Sequence, residues 1–548
     1  MSEPVLDIRG LTVGFRADRT VTPVVRGVDL RLEAGRCLAL VGESGSGKSV
    51  TARSVVGLNG PSARVDAERL HVGGRDILRL SDRALRRVRG KEVGYVLQDA
   101  LVSLDPLRPV GREIDDALRI HTRLAPAKRR ERVLELLAAA GVPEPEQRSR
   151  QRSGELSGGL RQRALIASAI ALRPPLLIAD EPTTALDATV QEQILALLEE
   201  LKEQGTAILL ISHDLAVVSR VADEISVMNG GAIVEHGPAE QVLFDARDEY
   251  TRRLIAAVPA DRPRGTRLAE ATTTPAATVG PPAPAAPVAS VVLPSDQVVL
   301  EARDLVKHYR NPDGSPRLVL DRVSFELRRG RTLGLVGESG SGKTTAARVA
   351  LGITEPETGD VALFGAPWTA LPERERRRQR HRIGAVYQDP LGSFDPRLTV
   401  EDILADALGS APGPARAEIA RLLDEVGLPA TAARRRPLHL SGGQRQRVAI
   451  ARALAPKPEI IVCDEPVSAL DVSVQAQVLD LLDDLQRELG LSYLFISHDL
   501  GVIQHVSDEV AVMSQGRIVE TGPAEQLFRS PADPYTRALL DAAPRLVR

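Results

Sequence analysis

The length, composition and charge of the chain already exclude several classes of protein. Its 548 residues are 43% apolar and 26% charged, which predicts a soluble chain of about three or four domains or subdomains. A formal net charge of -2 excludes a globally basic nucleic-acid binder, and 2 cysteines are too few for a disulfide scaffold or a four-cysteine metal site. The chain opens with charged residues and has no apolar run of the roughly 18–20 residues that cross a bilayer, so we expect neither a secretory signal nor a membrane span.

Four short motifs of the first half recur in the second half in the same order. The copies lie 295 residues apart for the first motif and 284 or 285 residues apart for the other three. Such a pattern indicates a duplicated unit with a small change of length between the first and second motifs. The paired segments are 41–49 and 336–344, 156–159 and 440–443, 180–182 and 464–466, and 212–214 and 497–499.

The first motif of each half is a phosphate-binding loop, G-x-x-x-x-G-K-S/T, which follows a short apolar run typical of a buried strand. Its glycines let backbone N–H groups surround phosphate oxygens, and the next helix points its positive end at them. The lysine is predicted to neutralise the β- and γ-phosphates, and the hydroxyl after it to bind Mg²⁺. A chance match in a chain with 44 glycines is disfavoured because two copies occur in register. The predicted residues are Gly42, Ser44, Gly45, Gly47, Lys48 and Ser49, and Gly337, Ser339, Gly340, Gly342, Lys343 and Thr344.

Acidic residues and a histidine follow further apolar strands, predicted at 176–179, 207–211 and 460–463. Strands that alternate with helical patterns predict an α/β fold with a largely parallel sheet and a ligand at the carboxyl ends of its strands. The aspartate is assigned to Mg²⁺ through water, and the glutamate to polarising the attacking water. A lone histidine after a strand is more often structural, but its repetition favours contact with the γ-phosphate. These residues are Asp180, Glu181 and His213, and Asp464, Glu465 and His498.

A Leu-Ser-Gly-Gly segment precedes the acidic strand in both halves and begins a predicted helix. Serine at the N-cap and glycines that allow close backbone approach make a second anion-binding helix end. An ordinary capped helix is the alternative interpretation of this segment taken alone. The residues are Ser157 and Gly159 in the first half, and Ser441, Gly443 and Gln444 in the second.

With all motifs in this order, the sequence resembles the ATP-binding cassette (ABC) ATPases over nearly all of both halves. The resemblance implies two tandem cassettes, each with a RecA-like phosphate-loop core, an antiparallel β subdomain and a helical signature subdomain. It also implies a head-to-tail sandwich, in which ATP and Mg²⁺ bound to one half are capped by the Ser-Gly segment of the other. Gln98 and Gln388 match the family's metal-contacting Q-loop glutamine, and Phe15 and Tyr309 match its adenine-stacking aromatic, with core packing as the alternative for both aromatics.

Two further repeated segments are similar to the dipeptide/oligopeptide/nickel importer branch, with a D-type first half and an F-type second half. They follow the Q-loop glutamine and lie near the end of each half, at 98–106 and 388–396 and at 250–254 and 535–539. The resemblance implies two separate integral-membrane permease subunits, an extracytoplasmic substrate-binding protein, and a peripheral location at the cytoplasmic face of the membrane. Leu160 departs from the usual signature glutamine, and we expect both sites to stay competent.

The segment between the halves has a different composition. No charged residue occurs from 271 to 294, and the alanines, prolines and threonines of this stretch predict an extended linker. The expected domains are therefore 1–259 and 297–548, joined by a flexible linker at 260–296. The alternative function is a soluble tandem ABC ATPase that acts on ribosomes or DNA, and a small-molecule kinase would leave the duplicated signature unexplained. The basic run 374–382 predicts a solvated helix face, with nucleic acid or anionic lipid contact as the alternative.

Overall fold

The computed structural model divides the chain into two compact units. The first unit ends at Ala256 and the second comprises Ala257–Ala543. Among the described helices, none combines the length and the apolar character that crossing a membrane requires. The structure describes residues 3–17, 20–98, 103–184, 186–260, 262–269, 295–310, 314–468 and 470–543.

Two sheets form the frame of the first unit. The larger sheet has six strands in the order β11-β10-β3-β9-β8-β7, all parallel except for β11. The smaller sheet is antiparallel in the order β2-β1-β5-β6, and β4 also pairs with β1. The strands are β1 (Leu6–Ala17), β2 (Thr20–Leu32), β3 (Cys37–Val41), β4 (Ala63–Asp66), β5 (Arg69–Val72), β6 (Arg75–Asp76), β7 (Val93–Val96), β8 (Leu176–Asp180), β9 (Ala207–Ile211), β10 (Glu224–Asn229) and β11 (Ala232–Pro238).

The central strands β3, β8 and β9 are buried along their whole length, as expected for parallel strands covered on both faces. Several helices begin at a side chain that accepts a backbone N–H, such as Ser157 and Asp187. The helices are α1 (Lys48–Val55), α2 (Asp82–Val88), α3 (Val110–His121), α4 (Pro126–Ala139), α5 (Pro145–Arg148), α6 (Gly158–Ala169), α7 (Ala188–Glu203), α8 (Leu215–Val221), α9 (Ala239–Phe244) and α10 (Glu249–Ala256).

The second unit repeats this topology. Its six-stranded sheet has the order β17-β18-β19-β14-β20-β21, which matches β7-β8-β9-β3-β10-β11, and its antiparallel sheet has the order β13-β12-β15-β16. The strands are β12 (Val298–Arg310), β13 (Pro316–Arg328), β14 (Thr332–Val336), β15 (Thr358–Leu363), β16 (Ala366–Pro367), β17 (Ile383–Val386), β18 (Ile460–Asp464), β19 (Ser492–Ile496), β20 (Glu509–Ser514) and β21 (Arg517–Pro523). The helices are α11 (Lys343–Ala350), α12 (Glu373–Gln379), α13 (Val400–Ala407), α14 (Pro412–Glu425), α15 (Gly442–Leu454), α16 (Val472–Leu489), α17 (Leu500–Val506), α18 (Ala524–Arg529) and α19 (Pro534–Ala542).

In each unit a core of apolar side chains joins the two sheets around the helix that follows the phosphate loop. The predicted α/β fold with duplicated units is confirmed, and the predicted strands are those observed at β3, β8, β9, β14 and β18. Residues 262–269 of the predicted linker are placed against the second unit, whereas 270–294 lie outside the described residues.

The basic run 374–382 differs from the predicted solvated face at two arginines. Arg376 is buried and donates to the carbonyl of Gly352 and to Glu355. Arg382 pairs with Glu459 and stacks on the ring of Phe364. The interpretation as a solvated face was wrong for these two side chains, because neighbouring carboxylates and carbonyls satisfy them inside the unit.

Candidate functional site

Four polar segments meet at the carboxyl ends of adjacent strands in each unit. In the first unit they follow β7, β8, β9 and β3, which are neighbours in the sheet. The corresponding strands β17, β18, β19 and β14 are neighbours in the second unit. Because the strands are parallel, residues far apart in sequence meet at one edge of the sheet.

The phosphate loop has a backbone that only glycine accepts at two positions. Gly42 has φ of 145°, and a Cβ there would lie 2.1 Å from the carbonyl oxygen of Met228. Gly47 has φ of 104° and directly precedes α1, so the helix begins at the lysine. Lys48 Nζ donates to the carbonyls of Gly42 and Glu43 at 2.7 and 2.8 Å, and Lys343 makes the same two bonds in its own loop. The ammonium group is therefore held over the concave side of the loop.

A buried hydroxyl in each loop fits an anionic ligand. Ser46 Oγ and Ser341 Oγ are buried and have no hydrogen-bond partner among the described residues. A buried hydroxyl without a partner is costly, and a phosphate oxygen would satisfy it. The loops are therefore shaped for phosphate by their amide groups, a lysine and one hydroxyl.

A hydroxyl and a carboxylate in each unit are spaced as Mg²⁺ requires. Ser49 Oγ donates to Asp180 Oδ1 at 2.9 Å, and Thr344 Oγ1 donates to Asp464 Oδ1 at 3.2 Å. Neighbouring oxygens of an octahedral Mg²⁺ site lie about 3 Å apart, so both pairs fit the ion directly or through water. Burial raises the pKa of both aspartates, with partial opposition from these hydroxyls. A bound cation would restore the charged form.

A glutamate and a histidine form a mostly buried pair next to the aspartate that ends β8 or β18. His213 Nδ1 lies 3.4 Å from Glu181 Oε2, and His498 Nδ1 lies 3.2 Å from Glu465 Oε1. Burial is the largest single influence and raises the pKa of Glu181, but the contact with His213, together with hydrogen bonds from Thr184 and Gln98, outweighs it and lowers the glutamate pKa to about 2. The same contact raises the pKa of His213 despite burial, and the second pair shifts in the same directions. The glutamate is therefore held as a carboxylate, the form that accepts a proton from water.

Both glutamates also occupy an unusual backbone conformation. Glu181 has φ of 51° and Glu465 has φ of 50°, a region that non-glycine residues enter at a cost of about 1–3 kcal/mol. Gln98 Nε2 donates to Glu181 Oε2 at 2.9 Å, and Gln388 Nε2 donates to Glu465 Oε2 at 2.6 Å. The predicted Q-loop glutamine, glutamate and histidine are thus brought together in each unit.

The two signature segments cap their helices unequally. Ser157 Oγ accepts from Leu160 N at 3.4 Å, and Ser441 Oγ accepts from Gln444 N at 3.3 Å. Only Gln444 makes the reciprocal hydrogen bond, in which its Oε1 accepts from Ser441 N at 3.2 Å. Leu160 has no group for that purpose, so the first signature lacks the reciprocal half of the capping box. All these serines and glycines lie at the start of α6 and α15, as predicted.

The predicted adenine-stacking aromatics differ in exposure. Phe15 is half-buried against the core of the first unit, whereas the Tyr309 side chain is 41% exposed. The assignment of both to adenine stays a prediction.

Sequence reasoning did not find several residues that hold the site. The Tyr250 hydroxyl accepts from the N–H of Glu43 at 3.0 Å, and Tyr535 does the same for Glu338 at 3.3 Å, so a tyrosine from the end of each unit braces the phosphate loop. The repetition of this tyrosine near the end of each half was the sequence signal that could have indicated its role. Tyr95 donates to Asp180 Oδ2 at 3.0 Å, and burial beside this aspartate raises the tyrosine pKa.

An arginine ties the Q-loop turn to the signature helix in the second unit. Arg452 on α15 donates to the carbonyl and hydroxyl of Ser393 at 2.8 and 3.0 Å, and its guanidinium lies 4.7 Å from the Phe394 ring centroid. The corresponding position on α6 is Ser168. The units are therefore similar in chemistry but not identical in how the site is supported.

Two family models match the chain, and each matches it twice. The model described as "ABC transporter" matches residues 25–184 and 320–468. The model described as "Oligopeptide/dipeptide transporter, C-terminal region" matches residues 234–283 and 519–548. The two regions matched by the second model contain Tyr250 and Tyr535, the tyrosines that brace the phosphate loops.

Curated relatives match the chain along its whole length. The oligopeptide transport ATP-binding protein OppD of Mycobacterium bovis is 42% identical over 99% of this chain and 98% of its own. The peptidoglycan transport ATP-binding protein YejF of Agrobacterium fabrum is 43% identical over 99% and 97%. The glutathione import ATP-binding protein GsiA of Escherichia coli is 40% identical over 98% and 89%. The chain therefore belongs to the ABC transporter family, as a fused pair of ATP-binding units with the C-terminal regions of its oligopeptide/dipeptide transporters.

Proposed function

We propose that this chain hydrolyses ATP to power the import of peptides through separate permease subunits. The observation that supports the proposal is that each unit holds a hydroxyl–aspartate pair and a glutamate–histidine pair at the ends of its strands, and that both units carry the oligopeptide/dipeptide C-terminal region. The relatives are named for oligopeptides, peptidoglycan and glutathione, which all contain peptide bonds and support peptide-like cargo.

The residues of each unit divide the hydrolysis between them. Glu181 and Glu465 orient a water and accept its proton as the water oxygen attacks the γ-phosphorus. The bond to the β–γ bridging oxygen then breaks, and ADP and phosphate leave. Lys48 and Lys343 stabilise the transferred charge. Mg²⁺, held at the Ser49–Asp180 and Thr344–Asp464 pairs, would neutralise charge on the β- and γ-phosphates when bound.

Each ATP is proposed to lie between the phosphate loop of one unit and the signature of the other. The exposed N-terminal ends of α6 and α15 support this arrangement, since Ser157 and Ser441 are accessible to a ligand held by another unit. A second helix N-terminus aimed at the γ-phosphate would add amide donors that one unit alone does not supply. Closure on ATP and opening after hydrolysis would then drive the permease.

Disulfide cross-linking tests this arrangement directly. The pairs Ser44→Cys with Ser441→Cys and Ser339→Cys with Ser157→Cys are expected to form a disulfide with ATP in an E181Q/E465Q background, and to form little without nucleotide. The pair Ser44→Cys with Ser157→Cys, in one unit, is the matched control. Burial raises the pKa of Cys37 to about 12 and that of Cys463 further, so native thiols contribute little background. No disulfide in either crossed pair would contradict the proposal.

Co-purification tests the partners. We propose two permease subunits, an extracytoplasmic binding protein reached through them, and a peripheral position at the cytoplasmic face of the membrane. Permease subunits that co-purify with the tagged chain in mild detergent would support import. Ribosomes or DNA in their place would support the alternative of a soluble tandem ATPase.

A further inference from the structure

A short segment that follows the first unit belongs structurally to the second. We call residues 257–260 and 262–269 the strap. It comes directly after α10, which ends at Ala256, yet it packs within the second unit. The side chains of Ala257 and Leu268 are fully buried there. The strap lies inside the first region that matches the oligopeptide/dipeptide C-terminal model, at 234–283.

Helix α16 supplies carboxylates to the backbone and side chains of the strap. Asp480 accepts from the N–H groups of Leu268 and Ala269, one on each carboxylate oxygen, at 3.0 and 2.8 Å. Arg267 Nη2 donates to Asp484 Oδ1 at 2.7 Å. Asp480 is only 9% exposed, so this carboxylate depends on the strap for its hydrogen bonds.

Arg264 is the charged centre of the contact. It pairs with Asp508, and its Nη2 donates to Gln486 Oε1 at 2.7 Å. The carboxylate of Asp508 also accepts from the N–H of Thr332 at 2.7 Å, at the start of β14. The strap thereby completes a polar cluster at the start of β14 in the second unit.

In the first unit, the corresponding aspartate is paired with cations of that unit itself. Asp223 corresponds to Asp508 and accepts from the N–H of Cys37 at 2.7 Å. Two cations of the first unit pair with this carboxylate, Arg36 at 3.3 Å and Lys202, whose Nζ lies at 3.5 Å. In the second unit, the residue that corresponds to Lys202 is the neutral Gln486. The second unit therefore lacks the lysine, and Arg264 takes its place.

The face of α16 that contacts the strap also differs from the corresponding face of α7. On α7 the first unit pairs Glu192 and Glu199 with its own Arg220, and Ala196 is exposed. The second unit has Ala476, Asp483 and His505 at the corresponding positions, and Asp480 in place of Ala196. This face of the second unit has small and acceptor groups that contact the strap, whereas the face of the first unit has no carboxylate at the position of Asp480 and pairs its charged groups with one another.

We infer that α16 and Asp508 form a docking site for the strap, which extends from the first ABC unit. Arg264 anchors the strap at this site. Because the strap continues from α10, it joins the first unit to this surface independently of nucleotide. The docking site is selective, since only the second unit lacks the internal lysine.

Cutting the chain beyond the strap tests this inference. A protease site is inserted in the full chain between residues 275 and 290 and is cleaved in nucleotide-free buffer with chelator. The two fragments are expected to elute together in size-exclusion chromatography at 0.15 M salt, and to separate in Arg264→Ala. Fragments that separate in the unmodified sequence, or that stay together in Arg264→Ala, would overturn the inference. The absence of nucleotide keeps this outcome separate from the proposed ATP sandwich.

Hydrogen exchange on the uncut chain shows whether the variant merely unfolds. Arg264→Ala is expected to raise exchange at least tenfold in α16 and at the start of β14, with α7 unchanged. Adding Gln486→Lys is expected to restore protection at β14, because it supplies the lysine of the first unit, while the cleaved fragments still separate. Arg262→Ala is the matched control, since Arg262 contributes its carbonyl to the contact with His505 and its side chain is exposed. Unchanged exchange in Arg264→Ala would contradict the anchoring role.

Discussion

The glutamate and histidine next to the phosphate loop stabilise each other's charge. Both Glu181 and Glu465 keep a carboxylate in a mostly buried place, although burial by itself favours the neutral acid. Both glutamates also have a positive φ, which residues other than glycine rarely adopt. Strain and a lowered pKa together at one residue are typical of a reacting group rather than a structural one.

Removing one carboxylate tests whether both sites work. Glu181→Gln or Glu465→Gln is expected to slow hydrolysis at its own site by about a hundredfold, the usual effect of a lost general base. Total turnover should fall to about half or less in each single variant and about a hundredfold in the double variant. Steady-state phosphate release measures this, with the exposed Glu240→Gln as control. Unchanged turnover in one single variant would mean that its site does not contribute.

The stability of the first unit should depend on pH through the pair. The histidine contribution is complete below its ordinary pKa of 6.5 and is lost as pH rises through the raised pKa of His213. The glutamate contribution is complete above its ordinary pKa of 4.5 and is lost as pH falls toward about 2. The destabilisation caused by His213→Gln, measured by denaturant unfolding, should therefore peak between these ordinary values. In a Glu181→Gln background this peak should disappear, and a pH-independent difference would contradict the ion pair.

At the level of elements, the two signature helices differ in how they begin. Gln444 completes a capping box on α15, and Leu160 leaves the first turn of α6 with one bond fewer. The first turn of this helix is therefore supported differently in the two units.

Exchanging the residues at positions 160 and 444 should reverse the difference in capping between α6 and α15. Leu160→Gln is expected to stabilise the first turn of α6 by about 0.5–1 kcal/mol, and Gln444→Leu to destabilise α15 by a similar amount. Hydrogen exchange of the first-turn amides measures both changes, and each variant serves as the control for the other. Equal protection in all forms would show that the reciprocal bond has no effect.

The arginine that joins the Q-loop turn to α15 makes a second prediction at this scale. Arg452→Ser introduces the residue found at position 168 and removes two hydrogen bonds and the stacking on Phe394. The second unit should lose about 2–4 kcal/mol of stability. Arg452→Lys should recover only part of the loss, because lysine lacks the planar fork. Unfolding of the second unit with no change in midpoint would contradict this role.

At the scale of the whole molecule, two equivalent loops predict two nucleotides per chain. Lys48 and Lys343 have the same buried position and the same two carbonyl partners. Lys48→Met or Lys343→Met is expected to reduce the binding of a non-hydrolysable ATP analogue from two to one per chain, and the double variant to abolish it. Equilibrium dialysis measures the ratio, and the exposed Lys91→Met is the control. Two nucleotides bound to a single variant would contradict the assignment of that lysine.

The sequence by itself determined the duplicated α/β units and the residues that we propose contact ATP. Their chemistry depends on short spacings, such as a glycine loop before a helix or an acid at a strand end, which remain legible in one chain. Only the tertiary structure decided what supports them. Tyr250 lies 207 residues from the loop it braces, and Arg264 lies 222 residues from Gln486. Such pairs are joined by folding rather than by spacing, so no local pattern distinguished Arg264 from a solvated arginine, or Arg376 from the exposed arginines beside it.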